Sequence, residues 1–361
     1  MIDFAQLTTM GVGGPIERLL RPSTVAELVD AVTEAEAIGE PWFVLGGGSN
    51  VVGPDDPYEG VVILTRDIRG IEPLAADDGL IHVRVAAGEP WDRVVEFAVG
   101  HGLAGIEALS GIPGSTGAAP VQNIGAYGQE VADALVAVDL LDPETGSVAR
   151  APVSELELGY RTSILKRGTR GVILSVELAF RPGGRSLVQM DQLARALEVE
   201  IGREVPLHVV REAVLELRAA KGMLEGPDHP ASCGSFFVNP IVDENWARSL
   251  PNDLPRWTVG PEEADLVAPL EEGPRLRFYP SRRDVKLSAA WMIEHAGIPR
   301  GFRLPGSRAA VSPLHTLSIV NTGGATAAEI MQLAEFIQLR VSQDYGLVLQ
   351  PEPVVLSARR D

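Results

Sequence analysis

The 361-residue chain has a single cysteine, Cys233, so no disulfide can staple it internally. Its six histidines are scattered, and no Cys/His cluster has metal-ligand spacing, so no metal site is expected. No apolar run approaches the ~20 residues needed to span a bilayer, and the N-terminus lacks a basic region followed by an apolar stretch. Basic residues are also few: 31 Lys and Arg stand against 49 Asp and Glu, a net charge of −18. That balance disfavours nucleic acid and anionic membrane as partners, and any anionic ligand must meet positive charge concentrated locally. The simplest expectation is a cytoplasmic protein, acting as a monomer.

Some familiar signatures are missing as well. Gly46, Gly47, Gly48, Ser49 and Asn50 follow the short apolar run 42–45, but G-x-G-x-x-G is absent and no helical pattern begins at once. Residues 11–14 fail the same test because Pro15 follows, so a Rossmann domain is disfavoured. Ser235 lies in Gly-Ser-Phe-Phe rather than G-x-S-x-G, which argues against the nucleophile elbow of a hydrolase.

Glycine and proline are plentiful, at 38 and 27 residues, about 18% of the chain but below the range that signals disorder. With 45% hydrophobic residues and this length, two or three domains of mixed α and β structure are expected. Residues 111–128 are uncharged and rich in small residues, with five glycines that free the backbone for close approach to a ligand. Such a segment reads as a cradle in which backbone N–H groups hold phosphates, helped by Ser115, Gln122 and Asn123.

Thr24 and Glu27 form a capping-box pattern ahead of Val25, Leu28, Val29 and Val32, and strands are expected over 42–45 and 61–64. A first unit spans 1–70. A second spans 71–215, with strands at 81–86, 135–141 and 172–180, a helix opened by Pro90, and residues 350–361 returning to it. A third spans 216–349, with a long loop rich in proline and acidic groups, a helix near 287–296 and a last helix capped at Thr326.

Several polar residues are candidates, each with a blander alternative. Arg161, after Tyr160, could fork onto a carboxylate or phosphate or make a surface ion pair. Glu352 is held between Pro351 and Pro353, which suits catalysis or a plain edge strand. Lys221 with Arg218, and Arg282, Arg283 and Lys286, are basic spots that on base rates are solvated faces. His315 alone among the histidines has a compact apolar context. Ser235 could donate a proton in a dry pocket, with Cys233 as the rival.

Leu-Gly-Gly-Gly-Ser-Asn (45–50), Gly-Ile-Pro-Gly-Ser-Thr-Gly (111–117), Gln-Asn-Ile-Gly-Ala-Tyr-Gly (122–128), Tyr-Arg (160–161), Gly-Ser-Phe-Phe-x-Asn-Pro (234–240) and Pro-Glu-Pro (351–353) occur in this order. Together they closely resemble the UDP-N-acetylenolpyruvoylglucosamine reductase (MurB) family in its long form. The resemblance implies an α+β fold: a two-part FAD-binding module of the vanillyl-alcohol oxidase type, closed by a third α+β substrate-binding domain. It implies noncovalent FAD, NADPH as co-substrate, and reduction of UDP-N-acetylglucosamine enolpyruvate to UDP-N-acetylmuramate, a peptidoglycan precursor. Carried over by position, Ser235 would protonate C2, with Arg161 and Glu352 stabilising the developing charge. Gly46, Gly47, Gly48, Ser49, Asn50, Ile112, Pro113, Gly114, Ser115, Val121, Gln122, Asn123, Gly125 and Ile173 would hold FAD. Tyr160, Lys221, Asn239, Arg218 and His315 would meet the sugar nucleotide. One departure is Met190, where long-form relatives place a tyrosine over the uridine. The alternatives are another FAD enzyme of this fold acting on a small alcohol or hydroxy acid, and a noncatalytic UDP-sugar-binding protein.

Overall fold

The computed structural model describes residues 1–226, 229–259 and 284–358. The first unit is a small parallel sheet in the order Ile16–Leu20, Tyr58–Leu64, Trp42–Leu45, backed by the helix Val25–Ala37. That helix forms where expected: the Thr24 hydroxyl accepts from the Glu27 N–H, and Leu28, Val32 and Ala35 bury one stripe. Trp42–Leu45 delivers the chain directly into the glycine loop.

The second unit is a largely antiparallel sheet in the order Val148–Pro152, Leu135–Leu141, Val172–Pro182, Ile81–Ala86, Ile71–Leu74. One side is covered by the helix Trp91–Gly100, whose Trp91, Val94, Val95 and Ala98 are buried. The expected boundary at 215 lies within the helix Leu207–Ala220. That helix stays with the second unit: Arg211 forms a bidentate pair with Asp92 at 2.7 Å, and Arg218 Nε donates to Gly111 O at 3.1 Å.

The third unit holds two three-stranded sheets and the helices Ala289–His295 and Ala327–Tyr345. The segment expected as a long loop contains strands Ile241–Asp243, Arg256–Val259 and Asp284–Leu287, paired antiparallel. Its alternation was too weak against Pro and acidic residues to be read as strand. Arg282 and Arg283 lie outside the described residues.

The units are laced together. Met10, Val12 and Val52 belong to the core of the third unit, and Asp55 caps the Ala327–Tyr345 helix by accepting from the N–H groups of Ala327 (2.7 Å) and Ala328 (2.8 Å). The C-terminal strand Val354–Val355 pairs in parallel with Val51–Val52 of the first unit. Residues 350–361 were expected to return to the second unit. The strand pairing is with the first, in a two-stranded ladder apart from its parallel sheet, while Glu352 meets Arg161 and Lys166 of the second.

Candidate active site

Two loops meet face to face between the first and second units. A Cβ on Gly47 would lie 2.5 Å from Gly114 Cα, one on Gly46 would lie 2.2 Å from Ser115 Oγ, and Gly48 has φ +71°. Glycine is therefore required at these positions for the loops to touch. The Ser49 hydroxyl ties the two by donating to Pro113 O at 3.1 Å. A cavity of about 320 Å³ opens along the contact, lined by residues 43–51, Ile112, Pro113, Gly114, Ser115, Val121, Gln122 and Gly125. A second cavity of about 550 Å³ shares Phe43, Val44, Gly46, Ser115, Ala118 and Val121 with the first and continues past Ile173. Together they form an elongated apolar cleft floored by backbone, and among the described residues the N–H groups of Gly47, Gly48 and Ser49 have no protein acceptor. Unpaired donors aimed at a glycine-lined cleft are the chemistry of an anion nest, which fits the diphosphate of a dinucleotide.

Not every expected cofactor residue faces this space. Asn123 is 1% exposed in the left-handed region (φ 45°), and its amide donates to Glu130 Oε2 at 2.7 Å and Gly159 O at 3.1 Å. It lines neither cavity, so its side chain shapes the loop behind the cleft. Asn50 and Gln122 do line the cleft, but they are engaged with each other at 2.5 Å.

The three expected catalytic residues converge on the same cleft, which Arg161, Ser235 and Glu352 all line. Arg161 sits at φ 54°, an uncommon conformation for a residue with a Cβ, in the bridge that pairs Gly159 with Thr162. Its guanidinium donates to Asn123 O at 3.2 Å and to Gly125 O, and Nε lies 3.5 Å from Glu352 Oε1. Ser235 is placed by its neighbours. Phe236 and Phe237 are buried edge to face in the third core, Phe236 N–H donates to Leu317 O, and Glu352 N–H donates to Phe236 O at 2.9 Å. Serine and glutamate thus lie on adjacent extended segments. Burial pushes the Glu352 carboxyl above the ordinary carboxylate range, while Arg161 and Lys166 pull the other way. Burial, with the Glu352 charge adding to it, pushes the Cys233 thiol up to about 12, so it holds its proton more tightly than a free thiol.

Sequence reading missed Lys166. Its Nζ donates to Glu352 O at 2.8 Å, beside Asn50 Nδ2 at 3.2 Å, so two side chains from different units hold the same Glu352 carbonyl. This contact spans 186 residues, and no local pattern announces it.

The expected sugar-nucleotide residues form two groups. Near Arg161, the Tyr160 ring has the Arg161 guanidinium at 5.4 Å and Lys286 Nζ at 4.9 Å, and Asn239 Oδ1 accepts from Ala289 N–H. Lys286 thus sits half-buried over the Tyr160 ring, where its motif alone read as a solvated face. Elsewhere, Lys221 Nζ lies 5.4 Å from the Tyr127 ring and donates to Gln192 Oε1 at 3.1 Å. Met190 is 38% exposed beside Gly128. His315 is pushed down to about 4 by burial, with the Lys221 and Arg300 charges adding to it, so it is neutral at physiological pH. Arg218 lines the cleft, though Nε and Nη2 are spent on Gly111 O and Met223 O.

Comparison with known proteins agrees with this geometry. A family model for the UDP-N-acetylenolpyruvoylglucosamine reductase C-terminal domain matches residues 226–356, and one for an FAD binding domain matches 16–151. The chain is 53% identical to the UDP-N-acetylenolpyruvoylglucosamine reductase of Leifsonia xyli, with 97% of each chain covered. It is 44% identical to that of Saccharopolyspora erythraea, over 98% of this chain and 94% of the relative. The crystal structure of the reductase from Thermus caldophilus superposes with a TM-score of 0.62 at 26% identity, covering 99% of this chain and 98% of that one. The chain belongs to the UDP-N-acetylenolpyruvoylglucosamine reductase family.

Proposed function

We propose that this chain reduces UDP-N-acetylglucosamine enolpyruvate to UDP-N-acetylmuramate in peptidoglycan precursor synthesis, with NADPH as electron source and noncovalent FAD between the two. The observation that carries this reading is the convergence of Arg161, Ser235 and Glu352 on the cleft floored by both glycine loops. When bound, FAD supplies the hydride relay between NADPH and the enolpyruvyl group. Gly47, Gly48 and Ser49 would hold its diphosphate through their backbone N–H groups, and Ile173 lines the far cavity.

The protein's own contribution is electrostatic and protonic. Hydride arrival at C3 leaves negative charge over C2 and the carboxylate, and Arg161, already held by two backbone carbonyls, meets that charge without reorganising. Ser235 gives its proton to C2. Serine is a weak acid, and Glu352, on the extended segment beside it and lining the same cleft, is the neighbouring group through which that proton would be made available. Tyr160, Asn239 and Lys286 bind the sugar nucleotide on the Arg161 side, and Lys221, with neutral His315 near it, on the other. A single buried cysteine suits a reducing compartment, and we place the enzyme in the cytoplasm as a monomer.

The test is anaerobic. NADPH should bleach the flavin band of the purified yellow protein, and the enolpyruvyl sugar nucleotide should restore it. A protein that takes up no FAD, or whose flavin band the sugar nucleotide leaves bleached, overturns the reading.

A further inference from the structure

One side chain outside the expected set bonds the carbonyls of the glycine loop. Arg66, just after strand Tyr58–Leu64, donates from Nε to Gly46 O at 3.1 Å and from Nη2 to Gly47 O at 2.8 Å, and Nη2 also reaches Leu7 O. The next carbonyl, Gly48 O, accepts from Thr9 N–H at 3.1 Å. Three successive carbonyls are therefore drawn to one side. No peptide among the described residues is cis. In a trans peptide the C=O and the following N–H point in opposite directions. The N–H groups of Gly47, Gly48 and Ser49 must accordingly face away from Arg66, and these are the donors left without a protein acceptor among the described residues.

We infer that Arg66 is a positioning residue for FAD: its guanidinium holds the carbonyls of Gly46 and Gly47 so that the loop offers consecutive N–H donors to the cofactor's diphosphate. This rests on the FAD reading of the cleft. Arg66 is not among the residues lining that cleft; it lines an adjoining 330 Å³ cavity with Thr8, Thr9 and Glu225, on the other side of Gly47, and its contact with the cleft is through the loop carbonyls. Without the fork, a three-glycine loop has many backbone states open to it, and ordering it falls to the ligand as a cost in affinity. Arginine suits the task because its planar fork serves several acceptors at once, which a lysine ammonium on a flexible stem cannot match in geometry.

The experiment titrates cofactor-free protein with FAD, with ADP and with riboflavin, comparing the parent with Arg66→Met and Arg66→Lys. Losing hydrogen bonds made by a charged donor is expected to weaken FAD and ADP by about tenfold to hundredfold in Arg66→Met, with riboflavin, which has no phosphate, unchanged. Arg66→Lys should fall between parent and Arg66→Met for both phosphorylated ligands. Circular dichroism and the apoprotein Tm establish that each variant is folded. If Arg66→Met does not fold, Arg66→Lys decides, and parental FAD affinity in that variant overturns the inference. Equal weakening of riboflavin and ADP also overturns it, because the effect would then be general loosening. A parent that fails to bind FAD instead overturns the functional reading itself.

Discussion

Replacing Arg161 by lysine keeps the unit charge and removes the fork. In the parent the guanidinium bonds Asn123 O and Gly125 O and places Nε 3.5 Å from Glu352 Oε1. One ammonium cannot hold all three positions, and the left-handed backbone at φ 54° leaves little freedom to re-aim the shorter group. Removing one preorganised donor from a developing anion costs about 10²–10³ in rate, and the retained charge puts Arg161→Lys at the lower bound, about 10²-fold. The loss should fall on one half-reaction only. Bleaching by NADPH should stay within about threefold of the parent, because the charge that Arg161 stabilises develops on the enolpyruvyl group. A second consequence concerns pH. Arg161 opposes the burial that raises the Glu352 pKa, so displacing the cation should move the Glu352 limb of the pH profile to higher pH. Stopped-flow flavin absorbance under anaerobic conditions measures both steps. An enolpyruvyl-dependent step within about threefold of the parent in a folded variant would refute the reasoning.

Two further outcomes are expected. Ser235→Ala should slow the enolpyruvyl-dependent step by about 10²–10⁴-fold, the usual worth of a positioned acid, while Cys233→Ala, lacking a thiol already pushed up to about 12, stays near the parent; the reverse pattern would reassign the proton donor. His82 bonds Glu177 Oε1 at 3.0 Å and Asp78 Oδ2 at 2.9 Å, and its pKa is raised chiefly by the Glu177 bond and then by that to Asp78. A raised folded pKa contributes stability that is fully present below the unfolded value of ~6.5 and is lost as pH rises through the folded value. The Tm advantage of the parent over His82→Asn should therefore shrink above neutral pH, and an advantage that grows instead would contradict the ion-pair account.

The sequence was most legible where function demands unusual backbone. Glycine at 46, 47, 48 and 114 has no packing purpose visible in one dimension, and that oddity pointed to a cradle before any contact was known. Helix caps were equally legible, because Thr24 and Thr326 act on N–H groups three residues away. What stayed hidden spans long separations or carries a common residue type. Arg66 and Lys166 look like any surface base in the chain, and their acceptors are carbonyls, which every residue has. Asn123 shows the limit of a motif: it marks a residue as part of a ligand-like loop without saying that its buried side chain bonds Glu130 and Gly159 O. The destination of the C-terminus was likewise unreadable, since Pro351 and Pro353 announce a rigid segment without saying which strand edge it will join.

That last pairing bears on how the protein is made. Val51–Val52 receives its parallel partner only when Val354–Val355 has left the ribosome, some 300 residues later. At about 5–20 residues per second, this leaves the strand edge beside the glycine loop open for roughly 15–60 s of synthesis. Met10 and Val12 wait as well, because the core that buries them is built from the C-terminal third of the chain. The glycine loop is therefore synthesised well before Ser235 and Glu352, which complete the lining of the same cleft.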